Sequence, residues 1–288
     1  WSPFPSVRGR RHPCRNLRPA GGEQSGMAHY VIPLARPRAA RRTSPRPDMG
    51  QRLRLFGLFN IIAAAVVAGA FTARPAAPVP AGDLTVVELF TSQGCSSCPP
   101  ANANLVRLAG RPEVLALSFG VTYWDQLGWA DTFAQPAFTA RQRDYQRGLG
   151  NDNVWTPQMV IDGRADVVGG RMAEIEGRIA AHRPFSGPVI RFNPRGVGLA
   201  GGQPPRQAAD VWLVRYERRA IEVPVARGEN GGRTLPHANV VRELTRLGEW
   251  RGETVGFALP PARTAGLATA VLVQAPRGGP ILGAGRSS

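Results

Sequence analysis

Cys95-Ser96-Ser97-Cys98 is the part of the chain whose residue types and spacing could do chemistry. A short apolar strand, Leu84 to Phe90, leads into a Gly94 turn, and the two cysteines follow at the mouth of a helix starting near Pro99. A helix N-terminus carries free N–H groups and partial positive charge, so it favours anions. A thiolate placed there titrates low and becomes a nucleophile, and a second cysteine two residues on can close a disulfide with it. Cys95 is therefore the candidate nucleophile and Cys98 the candidate resolving thiol. Ser96 and Ser97 offer only hydroxyl hydrogen bonds between them, so a moderate effect on Cys95 is expected.

Two other readings of the same spacing are available. Half of a zinc site looks identical, but such a site needs four Cys or His ligands. The chain has only Cys14, Cys95 and Cys98, and none of its four histidines, His12, His29, His182 and His237, is in ligand spacing with another. No metal is therefore expected. The other alternative is an inert disulfide. A bond closing so short a loop gains little chain entropy, which suits exchange better than stability.

The elements that must hold the pair follow from periodicity and turn signals. Val114 to Phe119 is a continuous apolar run, as in a strand buried on both faces. Pro136 to Leu149 reads as a helix with proline in its first turn and Gly150 after its end. Gln158 to Ile161 and Ala165 to Val168 read as strands joined by an Asp162-Gly163 hairpin turn, and Arg171 to Ala181 as a helix. The order β-α-β-α-β-β-α around a Cys-x-x-Cys resembles the thioredoxin superfamily. The resemblance implies a cis-proline at the start of the third strand, which is Pro157, with Thr156 beside it to hold a substrate backbone. It also implies a buried acid behind the dithiol that moves a proton for the second cysteine. Glu88, seven residues before Cys95, is the candidate, and an exposed strand carboxylate is the alternative. Trp124, Asp125 and Trp129 follow the second strand, on the side of the dithiol, where they could floor a substrate groove or pack under a loop.

Beyond Pro184 to Pro188 the pattern changes to strands, at Val189–Phe192, Val211–Tyr216, Ala220–Val225, Val255–Leu259 and Ala268–Gln274, with Arg218-Arg219 turning a hairpin. This predicts a β-rich, sandwich-like second domain. Within it, Arg227 to Arg233 (RGENGGR) is either a solvated glycine turn or a loop facing the dithiol. His237 reads as a structural hydrogen bonder.

At the N-terminus, residues 1–48 carry ten arginines and two acidic residues without periodicity, a composition that builds no core and reads as an overhang. From Met49, Arg52 and Arg54 precede an apolar stretch from Leu55 to Phe71, then an Ala68-Gly69-Ala70 cleavage pattern and a proline-rich spacer, the form of an export signal over 49–82. An uncleaved membrane anchor is the alternative, at the short limit for a span. The expected organisation is thus a thioredoxin-like domain at 83–185 and a β-rich domain at 186–288, in the periplasm or outside the cell. Disulfides persist in those compartments.

Stretches in both halves, VVELFTSQGCSSCPPA (Val86–Ala101), YWDQLGW (Tyr123–Trp129), FTARQRDY (Phe138–Tyr145), TPQMVIDGRADVVG (Thr156–Gly169), RGENGGRTLPHANVVR (Arg227–Arg242) and GGPILGA (Gly278–Ala284), resemble an uncharacterised domain-of-unknown-function family of exported bacterial proteins with a thioredoxin-like N-terminal part. Many members carry His-Val-Asp where this chain has Gly120-Val121-Thr122, so no role is carried over to those positions. The resemblance brings no activity with it, so the chemistry rests on the residues.

Charge points to no polyanionic partner. All 36 basic residues are arginine, and much of the net +16 lies before residue 81. The remainder has no basic run interleaved with aromatics, so a nucleic-acid surface is not expected. Three classes of function remain. The favoured one is a thiol–disulfide oxidoreductase acting on protein or small-molecule thiols and disulfides, with no cofactor. A non-enzymatic envelope binding or assembly module with a passive disulfide is second. A copper(I) metallochaperone is third, because soft sulfur suits that ion but Met159 and Met172 are the only methionines after the signal.

Overall fold

Strand β1 (Thr85–Thr91) is buried along its whole length because apolar layers cover both of its faces. Val86 and Phe90 point to one layer, with Phe138 and Tyr145 of helix α2 (Pro136–Leu149). Val87 and Leu89 point to the other, with Leu105 and Leu108 of α1 (Pro99–Ala109) and Ile175 and Ile179 of α3 (Met172–Ala180). The computed structural model describes residues 84–287, so the overhang and export signal read at 1–48 and 49–82, and Cys14, lie outside the described residues.

After α1 the chain enters β2 (Val114–Gly120), a 3-10 helix (Thr122–Leu127) and α2, then β3 (Gln158–Ile161), β4 (Ala165–Val168) and α3. β1 runs parallel to β2 and antiparallel to β3, and β3 pairs with β4 across Asp162-Gly163, both at positive φ as a tight hairpin requires. The rest is β5 (Val189–Asn193), β6 (Gly196–Ala200), β7 (Ala209–Glu217), β8 (Ile221–Pro224), β9 (Thr234–His237), β10 (Val240–Trp250), β11 (Val255–Phe257), β12 (Ala268–Gln274) and β13 (Ile281–Arg286).

The two halves share one mixed sheet of order β13-β12-β7-β10-β2-β1-β3-β4. This differs from a second β unit merely packed on the first. Without β10, β2 would be an edge strand with a row of unpaired backbone groups. Asn239 prevents that: its carbonyl accepts the Ser118 N–H at 3.0 Å and its Nδ2 donates to the Ala116 carbonyl at 2.8 Å, which starts β10 parallel to β2. The sandwich character is local. The small sheet β11-β6-β5 brings Ile190, Val197 and Leu199 against Val211, Leu213, Trp250 and Val271 of the large one.

Arg218-Arg219 turns no hairpin. β8 pairs with β9 rather than β7, from Ile221↔His237 to Pro224↔Thr234, and forms a separate two-stranded ribbon. That ribbon projects residues 225–233 from its end.

Candidate active site

Cys95 and Cys98 form a disulfide at the start of α1, with Cys98 as the residue capping the helix. Pro99 and Pro100 occupy the first helical positions, where a missing N–H costs nothing. The Cys98 carbonyl accepts the N–H groups of Ala101 and Asn102 at 2.9 and 3.1 Å.

Thr156 reaches this pair from 61 residues away. Its hydroxyl donates to Cys95 Sγ at 3.3 Å, and Trp124 Nε1 donates to the same hydroxyl oxygen at 2.8 Å. Ser97 Oγ also lies 3.3 Å from Cys95 Sγ. The Thr156–Pro157 peptide is cis, and the Pro157 carbonyl accepts the Gly169 N–H at 2.9 Å. Gly169 must be glycine: a Cβ there would meet Ala101 Cβ at 2.8 Å and Pro157 Cβ at 3.3 Å. Asn104 of α1 seals the contact by donating to the Gly169 carbonyl at 3.0 Å. The helix, the cysteines and the Thr156–Pro157 corner are therefore locked together.

The turn before Cys95 is held by groups that sequence reasoning missed. Asp131, buried after the 3-10 helix, accepts the Gln93 N–H at 2.7 Å through Oδ2 and the Phe133 N–H at 2.7 Å through Oδ1. Burial pushes its carboxyl up to about 6, against those N–H bonds, which pull it down. Gln93 receives Trp129 Nε1 at 2.9 Å and donates to Thr132 Oγ1 at 2.9 Å. Asp125 accepts the Asp131 N–H at 3.0 Å. Trp129 and Asp125 thus brace the loop around the cysteines, while Trp124 joins the sulfur network directly. Asp131 could have been noticed as an acid soon after a strand that ends at the site, but nothing in its spacing marks its bonds to Gln93.

Glu88 is not brought to the cysteines. Strand alternation turns it with Val86 and Phe90 toward α2, on the opposite face from α1. It is fully buried rather than an exposed strand carboxylate, and takes Arg141 Nε at 2.7 Å and Nη2 at 3.1 Å, with the Tyr145 hydroxyl on the same carboxylate. A buried polar group on the cysteine side is Asn102, one helical turn past Cys98; its Oδ1 accepts the Thr91 hydroxyl at 2.9 Å and its Nδ2 has no partner.

Residues 227–233 close over the turn. Asn230, fully buried, donates from Nδ2 to the carbonyls of Gln93 at 2.9 Å and Cys95 at 2.8 Å, and Glu229 Oε2 accepts the Ser96 N–H at 3.0 Å. The RGENGGR segment therefore faces the dithiol. Both cysteines have zero exposure.

Among the described residues, no group of three or more His, Cys, Asp or Glu is placed to hold a metal, and no helix is long and apolar enough to cross a membrane.

Thr156→Val should be informative because it removes the Cys95 hydroxyl donor and keeps the side-chain shape. A hydrogen bond to a charged group is worth roughly 1.5–3 kcal/mol, so the pH midpoint for alkylation of Cys95 in the reduced protein should rise by about one unit. An unchanged midpoint would remove Thr156 from the chemistry.

A family model described as "Protein of unknown function (DUF1223)" matches residues 86–274. A crystal structure of a protein from Agrobacterium tumefaciens, solved by a structural genomics consortium, is 32% identical, covers 70% of this chain and 92% of that one, and superposes with a TM-score of 0.60. HBP35 of Porphyromonas gingivalis is 11% identical over 72% of this chain and 75% of that one, with a TM-score of 0.48. No curated protein is significantly similar to the chain.

Proposed function

Given that the chain belongs to the DUF1223 family of proteins of unknown function, we propose that it is an exported, thioredoxin-like thiol–disulfide oxidoreductase. One observation carries the reading. The Cys95 sulfur sits before the N-terminus of α1 with the Thr156 and Ser97 hydroxyls at 3.3 Å, beside a cis Thr156–Pro157 peptide. The helix N-terminus and the two hydroxyls each favour a thiolate at that sulfur. The Trp124 N–H polarises the Thr156 hydroxyl further.

In the reducing direction the Cys95 thiolate attacks one sulfur of a partner disulfide. The Cys95–partner S–S bond forms, the partner S–S bond breaks, and the leaving thiolate takes a proton from solvent. Cys98 then loses its proton and attacks Cys95 Sγ, which closes the Cys95–Cys98 bond and releases the second partner thiolate. Two electrons pass from the cysteines to the partner. The oxidising direction is the reverse, and the relative potentials of the two couples set which one runs. The edge of Pro157 and the backbone of Thr156 are the surfaces against which a partner segment would lie. Glu88 takes no part.

Removal of the second thiol tests this. Cys98→Ser protein isolated from the cell envelope should carry partner proteins in mixed disulfides that a reductant releases, and Cys95→Ser should carry none. The passive-disulfide binding module is favoured by the zero exposure of both sulfurs. It takes over if neither variant traps a partner.

A further inference from the structure

Thiol–disulfide exchange needs access to sulfur, yet both Cys95 and Cys98 are fully buried. Resting on the oxidoreductase reading, we infer that residues 227–233 form a redox-responsive latch that closes over the Cys95–Cys98 disulfide and opens when the pair is reduced.

The latch is a built contact. Asn230 spends both amide hydrogens on the carbonyls of Gln93 and Cys95, and Arg233 Nη1 donates to Asn230 Oδ1 at 2.9 Å, which fixes the orientation of the amide. Gly228, at φ +75°, lets the loop approach Trp129; a Cβ there would come within 3.2 Å of Trp129 Cβ. Gly128, at φ +102°, faces it, and a Cβ at 128 would meet Gly228 Cα at 3.5 Å. The loop itself is mostly exposed: Arg227, Gly228, Glu229 and Gly231 to Arg233 all face solvent, and only Asn230 is buried. A segment held through one buried side chain can leave without dismantling a core.

The charge arrangement couples this contact to the redox state. Glu229 Oε2 accepts the Ser96 N–H, two residues before Cys98, the residue capping α1. The hydroxyl and amide of Ser96 hold the Glu229 carboxyl below its usual range, so it is an anion at neutral pH. In the oxidised protein the neighbouring sulfurs are neutral and the carboxylate has the helix mouth to itself. Reduction by an external dithiol breaks the S–S bond, places two electrons on the cysteines and leaves the reductant as a disulfide. Cys95 then releases a proton, and its thiolate competes with Glu229 for the same positive end of the helix. Like charges repel, so the closed latch and the thiolate disfavour each other. The coupling is reciprocal: a closed latch favours the disulfide, and a thiolate favours opening. The latch also governs kinetics: Asn230 pins the backbone on both sides of Gly94, so its release lets this turn move and bring a buried sulfur within reach of a partner.

Hydrogen exchange of the purified protein reads this directly. At about pH 8, where a helix-mouth cysteine is ionised, the Ser96 N–H should exchange at least tenfold faster with the pair held reduced by excess dithiothreitol than with the pair oxidised. Glu229→Gln keeps an acceptor but removes the charge, and should shrink that ratio by half or more. Asn230→Ala should let dithiothreitol reduce the folded protein about tenfold faster than wild type. If Asn230→Ala fails to fold, the exposed Glu229→Gln variant still decides. Exchange at Ser96 that agrees within twofold between redox states, or an unchanged ratio in Glu229→Gln, overturns the latch. Redox-dependent exchange with no partner trapped by Cys98→Ser defeats the oxidoreductase reading alone. Trapped partners with redox-independent exchange defeat the latch alone.

Discussion

Replacing Arg141 with methionine is expected to cost about 3–5 kcal/mol of folding stability, because it leaves a carboxylate unpaired in the interior. Arg141 is 5% exposed and Glu88 is fully buried. The guanidinium donates to Glu88 from Nε and Nη2, to the Tyr145 hydroxyl at 3.1 Å and to Gln274 Oε1 at 3.1 Å, so one side chain ties α2 to both β1 and β12. Its carbon Cζ lies 5.1 Å from the Tyr145 ring centre and 5.7 Å from that of Trp212. Burial alone would lower its basicity, but the Glu88 charge and hydrogen bond, with Tyr145 and Asp144 nearby, together outweigh this and hold the proton more firmly. Burial likewise raises the Tyr145 hydroxyl well above its usual value, so it stays a donor to Glu88. Tyr145→Phe removes a hydroxyl bonded to both charged groups but leaves them paired with each other, and should cost about 1.5–3 kcal/mol. A double Glu88→Met, Arg141→Met protein should recover much of the single-variant loss, since no charge is then left unpaired. Urea midpoints of the three proteins measure this. A loss below about 1 kcal/mol for Arg141→Met would mean that water reaches the pair and that the layer between α2 and the sheet is looser than described.

The legible parts of the molecule are those whose signals are local. Proline at the first turn and Gly150 past the end bound α2 at Pro136–Leu149, and Gly150 takes the left-handed conformation such an end requires. Asp162-Gly163 sets the β3–β4 hairpin. β10 was not legible, although it is the longest strand. Its Val-Val-Arg-Glu-Leu-Thr-Arg-Leu-Gly-Glu-Trp carries charges on both sides of any two-residue alternation. Two bulges shift its register, and its charges are met by partners elsewhere: Glu243 by Arg215 at 3.0 Å, Arg246 by Asp210 at 2.7 Å, and Arg242 over the Phe133 ring. The site divides in the same way. The Cys-x-x-Cys and the Thr-Pro corner are short motifs. The partner that holds Glu88 is Arg141, 53 residues on, and the clamp on the Cys95 carbonyl comes from Asn230, 135 residues on. Such pairings exist only once the chain is folded.

His237 and Asp131 should pull the acid stability of the protein in opposite directions. His237 is 2% exposed, its Nε2 has no partner, and the Phe133 ring meets it edge-on at 5.5 Å. Burial pulls its imidazole down to about 4 from 6.5. Above about pH 6.5 it is neutral in both folded and unfolded chains, and its full contribution is present. As pH falls toward 4 the unfolded chain takes a proton that the folded chain refuses, and about 3 kcal/mol of stability is lost across that window. Asp131 works the other way. Its folded carboxyl, raised to about 6, keeps a proton that the unfolded chain has already released above 3.8. Its contribution is therefore fully present below about pH 3.8 and is lost as pH rises through 6, again about 3 kcal/mol. Over pH 4 to 6 the two nearly cancel. Asp131→Asn should lower stability at every pH, since one amide oxygen cannot accept both backbone N–H groups. It should also expose the histidine slope, so that the gap to wild type widens by roughly 3 kcal/mol between pH 6.5 and 4. His237→Leu should do the reverse and gain on wild type over the same range. Chemical denaturation at half-unit pH steps gives both difference curves. A gap between wild type and His237→Leu that is constant from pH 7 to 4 would show that the histidine is protonated in the folded protein, and that the ribbon carrying residues 225–233 opens in acid.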